Sequence, residues 1–282
     1  MYRSLIAVAV IVSLSAVTAN AQLVGWWKLD ETSGTDAADS SATGRTGILS
    51  GDLDGDEWSN VDGEVAGLGG ALQFSGTDYV DLGSAVGALN PQAGPFTIAA
   101  WMKVTNGSNR FNSAFGFGDC CGGAAVRHAI EFGLEATGAR RSIYSIDSRG
   151  TGNGEMELLH PMGDSPADRW VHMVATREDD GTASVYMRST DGAINTSGTT
   201  DKVTGLLDPT NGVSIGRTPF GGGDRYAQAL IADVQLYHSA LSADDVTQLF
   251  NSPGTAIPEP STLLLSLLAM LTLLGSSSRR SR

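Results

Sequence analysis

Several stretches of this chain alternate apolar and polar residues with a period of two, and this pattern limits the fold more than any other feature. In the stretch 96–103, the apolar residues Phe96, Ile98, Ala100 and Met102 fall on one side. Period-two alternation is typical of β-strands with one buried face. The same alternation recurs in three further stretches, at 170–177, 183–188 and 230–237.

Turn signals separate these stretches, and no long segment has helical periodicity. The dipeptides Asp180-Gly181, Asp191-Gly192 and Asn211-Gly212 favour tight turns between antiparallel strands. The sequence therefore predicts an all-β protein, a two-sheet antiparallel β-sandwich.

One short C-terminal helix is predicted over residues 243–250. Ser242 can cap it, and Asp244 and Asp245 suit the positively polarised first turn. Pro253 and Gly254 then end the helix and begin a linker.

The first 21 residues have the three parts of a secretory signal peptide. Arg3 gives a basic start, an apolar run follows from Leu5 to Val17, and Ala19-Asn20-Ala21 forms a cleavage site. The apolar run is shorter than the roughly 20 residues of a membrane-spanning helix, which disfavours a retained anchor. We therefore predict cleavage after Ala21 and a secreted mature chain that begins at Gln22.

The C-terminal residues 253–282 form a linker and a tail with its own signal. Pro258-Glu259-Pro260 precedes a short apolar stretch at 263–274, and a basic end follows at 279–282. This order resembles the PEP-CTERM sorting signal. The resemblance implies that an exosortase-type transpeptidase processes the tail at the envelope of a Gram-negative-type bacterium, where the tail is a transient membrane anchor.

The formal net charge of −13 disfavours nucleic acid and anionic membranes as partners, because like charges repel. Without both ends, residues 22–257 carry 14 basic against 30 acidic residues. Such a surface suits divalent cations, or gives solubility outside the cell. The two cysteines, Cys120 and Cys121, are adjacent, so either a strained vicinal disulfide or two thiols are compatible with the sequence.

The mature chain resembles the laminin-G-like jelly-roll family of the concanavalin A-like lectin and glucanase superfamily. The resemblance implies a single jelly-roll domain over residues 22–252. It is carried by blocks at 24–31, 70–83, 96–101, 169–172, 214–217 and 231–242.

This superfamily includes glycoside hydrolases, but their catalytic motif is incomplete here. Retaining members carry E-x-D-x-E or E-x-D-x-x-E on one strand, and paired carboxylates are required for the reaction. Neither Glu131-Phe132-Gly133-Leu134-Glu135 nor Glu155-Met156-Glu157 contains the triad. We therefore expect no enzyme activity, with a divergent glycoside hydrolase or lyase as an alternative.

Calcium is the cofactor that the resemblance implies, between the N-terminal segment and the last long strand. Asp30 and Asp233 are the expected ligands, with Asp233 on the face opposite Leu230, Ala232, Val234 and Leu236. The alternative is that Asp233 faces solvent or caps a local turn. The acidic loop 52–57 departs from the EF-hand template, with Glu57 where a glycine is required.

Sugar recognition requires aromatic faces beside polar groups. Trp58, Phe220, Arg225 and Tyr226 are the predicted ligand-binding residues, and Phe111 is a further loop aromatic. We expect a non-catalytic extracellular binding or adhesion module for polysaccharide or a surface protein. The alternative from another class is a structural matrix protein without a small ligand.

Overall fold

The computed structural model describes residues 21–84, 89, 94–106, 110–118, 129–138, 140–147, 155–200, 212–218 and 225–258. Cys120, Cys121, Phe220, Glu259 and Pro260 lie outside the described residues. The strands in chain order are β1 (Leu23–Trp27), β2 (Asp36–Ala37), β3 (Gly47–Ser50), β4 (Trp58–Asn60), β5 (Gly70–Ser75), β6 (Tyr79–Ser84), β7 (Phe96–Val104), β8 (Phe111–Gly118), β9 (Ala129–Glu135), β10 (Arg141–Asp147), β11 (Glu155–Leu158), β12 (Trp170–Arg177), β13 (Ala183–Ser189), β14 (Asn195–Thr200), β15 (Gly212–Ile215), β16 (Arg217–Thr218), β17 (Arg225–Tyr226) and β18 (Gln228–Tyr237). One helix, α1 (Ala243–Asn251), follows β18.

Two large antiparallel sheets form a sandwich. Sheet A has the strand order β14-β13-β12-β7-β18-β5-β4, and β1 also pairs with β18. Sheet B has the order β11-β10-β9-β8-β15-β6-β3-β2, and a separate two-stranded hairpin joins β16 to β17. This arrangement confirms the predicted jelly-roll β-sandwich.

The main core lies between the two sheets, and the alternation in the sequence identifies its faces. Phe96, Ile98, Ala100 and Met102 of β7 all belong to this core, as predicted. Sheet B contributes residues such as Phe115, Phe117, Phe132 and Leu134 from the opposite side. Burial of each such side chain stabilises the fold by about 1.5–3 kcal/mol, so register is strongly determined.

Helix α1 covers part of the outer face of sheet A. It begins with the predicted cap: the Ser242 hydroxyl accepts from Asp245 N, and the Asp245 carboxylate accepts from Ser242 N. Val246 and Leu249 are its buried residues. Phe250 stacks on Trp101 of β7, with ring centroids 5.6 Å apart.

The structure corrects the predicted faces of β18. A bulge between Ala232 and Gln235 contains Asp233, whose φ of 51° is left-handed. Because the extra residue reverses the alternation, Leu230 and Ala232 pack on the outer side of sheet A, whereas Val234 and Leu236 enter the main core. The sequence pattern had placed all four on one face.

The chain remains packed against sheet A beyond the predicted domain boundary at residue 252. Ile257 is buried in the cluster that also contains Ala21, Leu241 and Leu249. Three side chains of β18 bind the segment's backbone: Asp233 Oδ2 accepts from Gly254 N, Gln235 Nε2 donates to Thr255 O, and Tyr237 Oη accepts from Ile257 N. The next residue, Pro258, is exposed.

Candidate functional site

Strand β9 aims two glutamates away from the core, onto the outer face of sheet B. Phe132 and Leu134 point into the core, so the alternating residues Glu131, Gly133 and Glu135 point outward. Both glutamates are nevertheless only 1% exposed. A buried carboxylate requires strong partners, because burial removes its hydration.

The β16–β17 hairpin crosses this outer face over β8. Gly116 makes the crossing possible, because a Cβ at that position would lie 2.4 Å from Thr218 Oγ1. Within the hairpin, Arg217 pairs with Tyr226 and Thr218 pairs with Arg225. The hairpin thereby carries two arginines and a tyrosine onto the centre of sheet B.

Glu131 is held by Arg225. Arg225 Nη1 lies 2.9 Å from Glu131 Oε1 and 2.7 Å from Oε2. Ser113 Oγ lies 3.5 Å from Oε1. This ion pair links the hairpin to the sheet. The glutamate side chain is 1% exposed, whereas the arginine side chain is 26% exposed and partly reaches solvent.

Glu135 is held by two arginines. Arg110 Nε donates to its Oε1 at 2.7 Å and Arg141 Nε donates to its Oε2 at 2.5 Å. Burial raises the pKa of Glu135, but the hydrogen bonds from the two arginines outweigh burial and hold that pKa below its usual range. The carboxyl group is therefore ionised at neutral pH.

Aromatic rings lie beneath the arginines. The Arg225 guanidinium lies 3.8 Å from the ring centroid of Phe111, and that of Arg110 lies 4.6 Å from the same ring. Arg217 lies 3.5 Å from the ring centroid of Tyr79. We call this surface the arginine–aromatic face; its residues are Tyr79, Arg110, Phe111, Arg141, Arg217, Arg225 and Tyr226.

Two of the predicted ligand-binding residues, Arg225 and Tyr226, lie together on this face, where the rings of Tyr226 and Tyr79 are 6.5 Å apart. Trp58 lies elsewhere, on the edge strand β4 of sheet A, where it packs against the main core and donates to Gly34 O. Phe220 is outside the described residues.

The sequence prediction missed Arg110, Arg141, Arg217 and Tyr79. Tyr79 carries a detectable signal, because it begins an alternating run in which Val80 and Leu82 are buried. The missed arginines carry none. Arg217 reaches this face only because the hairpin crosses β8, and Arg110 and Arg141 meet Glu135 only because β9 pairs with β8 and β10.

The two predicted calcium ligands have different surroundings. Asp30 is exposed and lies against Gly70, where a Cβ would come within 2.5 Å of the Asp30 Cα. Asp233 is 4% exposed, and its carboxylate accepts from Trp26 Nε1 at 2.7 Å, Gln235 Nε2 at 2.8 Å and Gly254 N at 3.0 Å.

This donor set does not fit a calcium ion at Asp233. Calcium takes six to eight oxygen ligands, whereas N–H groups point at both oxygens of this carboxylate. Burial raises the pKa of Asp233 despite these hydrogen bonds. Within the described ranges, no group of three or more His, Cys, Asp or Glu side chains could hold a metal ion. The calcium site stays a prediction that chelation can check.

Two of the four glutamates considered as catalytic residues lie in ion pairs. Glu131 and Glu135 are ion-paired as described, and the side chains of Glu155 and Glu157 lie outside the described part of the structure. A glycosidase general acid requires a carboxyl group with a raised pKa, which is the opposite of the direction at Glu135.

Two antiparallel sheets packed face to face define a β-sandwich protein. A family model described as the concanavalin A-like lectin/glucanases superfamily, of the laminin G type, matches residues 74–247. The match covers more than half of the chain, and the protein belongs to this family.

Solved structures with the same fold include toxin binding domains. The binding domain of Paraclostridial Mosquitocidal Protein 1 is similar, with a TM-score of 0.54 and 13% sequence identity over 82% of this chain and 52% of that chain. The receptor binding domain of botulinum neurotoxin mosaic serotype C/D gives a TM-score of 0.52 and 11% identity over 82% of this chain and 51% of the other. This chain thus spans about half the length of those structures, and the likeness shows the fold.

No curated protein matches the chain in sequence. Among the residues that the structure describes, none forms a helix long and apolar enough to cross a membrane.

Proposed function

We propose that this protein is a non-catalytic extracellular binding or adhesion module whose arginine–aromatic face binds polysaccharide. The observation that carries the proposal is the stacking of Arg217 on Tyr79 and of Arg225 on Phe111, all four residues being partly exposed. Ligand sites place a small number of fixed polar groups beside apolar and aromatic side chains. Such polar groups are already oriented here, which lowers the entropy lost on binding.

The state of the acidic residues favours binding over hydrolysis. Glu131 and Glu135 each accept hydrogen bonds from arginine, so both serve to hold guanidinium groups in place. The ionised carboxylate of Glu135 cannot donate a proton to a leaving group.

The fold relatives offer coarser support. The two solved structures described above are named as binding domains, and they share this sandwich at low sequence identity. Their fold is compatible with a binding role for this chain, and a polysaccharide or surface-protein partner is part of the proposal.

The proposal includes secretion and processing at the cell envelope. Residues 1–21 would be removed by a signal peptidase after Ala21, and an exosortase-type transpeptidase would process the tail at Pro258-Glu259-Pro260. Leu23, near the mature N-terminus, packs against the cluster that contains Ile257, so both ends of the mature domain lie close together on sheet A. Pro258 is exposed, as a recognition segment requires.

Processing is tested by mass spectrometry of the protein recovered from the envelope of its host. We expect a first residue of Gln22 and no peptide that extends beyond Pro260. Recovery of an intact C-terminal Arg282 would contradict processing of the tail.

The binding proposal is tested on a broad array of polysaccharides with the wild-type protein, Arg217→Gln and the control Arg188→Gln. Arg188 lies on β13 of sheet A, so its substitution removes the same charge from the other sheet. We expect saturable binding that only Arg217→Gln weakens. Silence of the wild-type protein over the whole array would favour a structural matrix protein or a protein partner.

A further inference from the structure

The N-terminus that the proposed secretion would create is a glutamine. Cleavage after Ala21 leaves Gln22 as the first residue, with an α-amino group and a side-chain amide on the same residue. A terminal α-amino group is partly uncharged near neutral pH, and the uncharged amine is a nucleophile. The first residue would therefore carry a nucleophile and an amide carbon that can react with each other.

The structure holds Gln22 by its carbonyl group. Gln22 O accepts a hydrogen bond from His238 N at 2.9 Å, and the next residue, Leu23, pairs with Tyr237 in β18. Leu23 also packs against the cluster that contains Ile257. The chain is thus anchored to sheet A from the carbonyl group of Gln22 onward.

The side chain of Gln22 is not enclosed by the domain. Gln22 is exposed, although its neighbours Ala21 and Leu23 are buried and half-buried. Cyclisation joins the amine N to Cδ, so the new ring contains N, Cα, Cβ, Cγ and Cδ of this residue only. The carbonyl group that binds His238 N lies outside that ring. The reaction therefore requires rotation of an exposed side chain and leaves the pairing of β1 with β18 in place.

The surroundings of the new terminus disfavour a charged group. Ala21, to which the amine is bonded in the precursor, is 4% exposed and lies in the apolar cluster with Leu241 and Ile257. Removal of residues 1–21 would place a charged amine beside this cluster. A charge next to apolar side chains loses hydration, whereas a lactam carries no charge. The same surroundings thus favour the cyclised terminus.

We infer that Gln22 is a modification site, at which the α-amine attacks the side-chain carbon Cδ to give an N-terminal pyroglutamate. The N–Cδ bond forms, the bond between Cδ and Nε2 breaks, and ammonia leaves, its third hydrogen coming from the amine. The balance requires no oxidant and no second substrate. The inference rests on the proposed secretion and cleavage after Ala21. It adds an uncharged N-terminus that, without a free amine, resists aminopeptidases outside the cell.

The test is mass spectrometry of the N-terminal tryptic peptide, which ends at Lys28, from freshly harvested cells of the host. An isotope-labelled peptide of residues 22–28 with an open N-terminal glutamine is added at lysis, to measure cyclisation during preparation. In most molecules we expect the protein's own peptide to be lighter than the open form by one ammonia, while the added peptide stays open. Pyroglutamyl aminopeptidase should then remove the first residue and leave Leu23 at the terminus.

Gln22→Asn is the matched control. It keeps an amide side chain at the same exposed position and leaves the residues before the cleavage site unchanged. Its shorter side chain would have to close a strained four-membered ring, so we expect the α-amine to stay open. An aminopeptidase should shorten this variant and leave the wild-type protein intact.

The outcomes separate this inference from the proposed function. A mature chain that begins at Gln22 with an open amine overturns the cyclisation and leaves cleavage after Ala21 intact. A chain that begins elsewhere overturns both. Cyclisation of the added peptide to the same extent as the protein assigns the lactam to sample handling and overturns the inference, as does a blocked amine in Gln22→Asn.

Discussion

The ion pair between Glu131 and Arg225 supplies the sharpest prediction, because the two partners differ in exposure. Glu131 is 1% exposed and both its oxygens lie within 2.9 Å of Arg225 Nη1, whereas the arginine side chain is 26% exposed. Arg225→Gln leaves the buried carboxyl group of Glu131 without the ion pair to Arg225. Glu131→Gln leaves an arginine that can turn toward water.

The expected costs follow from that asymmetry. Loss of one partner of a buried pair typically costs about 3–5 kcal/mol, so we expect Arg225→Gln to lower the free energy of unfolding by about 3 kcal/mol. Glu131→Gln should cost about 1 kcal/mol, as for loss of a typical hydrogen bond. The double variant should be more stable than Arg225→Gln alone, because no uncompensated charge remains.

Urea unfolding of the four proteins, followed by tryptophan fluorescence, measures these values as a double-mutant cycle. For a domain of this size, a loss of 3 kcal/mol corresponds to about 6–12 °C in Tm, which gives a second readout. If the single effects are additive within about 0.5 kcal/mol, the two side chains do not interact and the hairpin is not held to β9 as described.

The remaining predictions concern sheet A. Burial, with a minor contribution from a nearby arginine, lowers the pKa of His172 from 6.5 to about 3, so its stabilising contribution is complete above pH 6.5 and declines as the pH falls toward 3. Between pH 3 and pH 6.5, the free energy of unfolding should therefore rise with pH, and His172→Phe should reduce this dependence by up to about 1.4 kcal/mol per pH unit. An unchanged dependence would contradict a buried neutral ring. Ile257→Ala should lower the free energy of unfolding in urea by about 2 kcal/mol, because Ile257 is buried. The same change at Ile48, which is 50% exposed, should lower it by less than about 0.5 kcal/mol. Equal losses would show that the 253–257 segment is not packed. A chelator should leave Tm unchanged, because N–H donors surround Asp233; a decrease that Asp233→Ala abolishes would instead establish the calcium ion predicted at Asp30 and Asp233.

Much of the fold was predictable because its signals are local. Alternation in 96–103 identified β7 and its buried face, since every second side chain of a strand points the same way. The capping residues of α1 are three positions apart in sequence, so Ser242 and Asp245 could be matched without knowledge of the rest of the chain.

The bulge in β18 shows where local patterns fail. Leu230, Ala232, Val234 and Leu236 have the spacing of one strand face, but the left-handed residue Asp233 divides them between two faces. A bulge forms where pairing with neighbouring strands favours it, and those neighbours are distant in sequence.

The candidate site depended most on tertiary structure. Sequence analysis selected Arg225 and Tyr226 together with Trp58, but the first two lie on sheet B and Trp58 lies at the edge of sheet A. Glu131 and Arg225 are separated by 94 residues and meet only because the β16–β17 hairpin crosses β8. The sequence by itself determined strands with clear alternation, such as β7, β12 and β13, as well as the helix and the excess of acid, since these follow from neighbouring residues and composition. The packing of the hairpin on sheet B decided which arginines and aromatic rings form one surface, because long-range contacts alone fix that geometry.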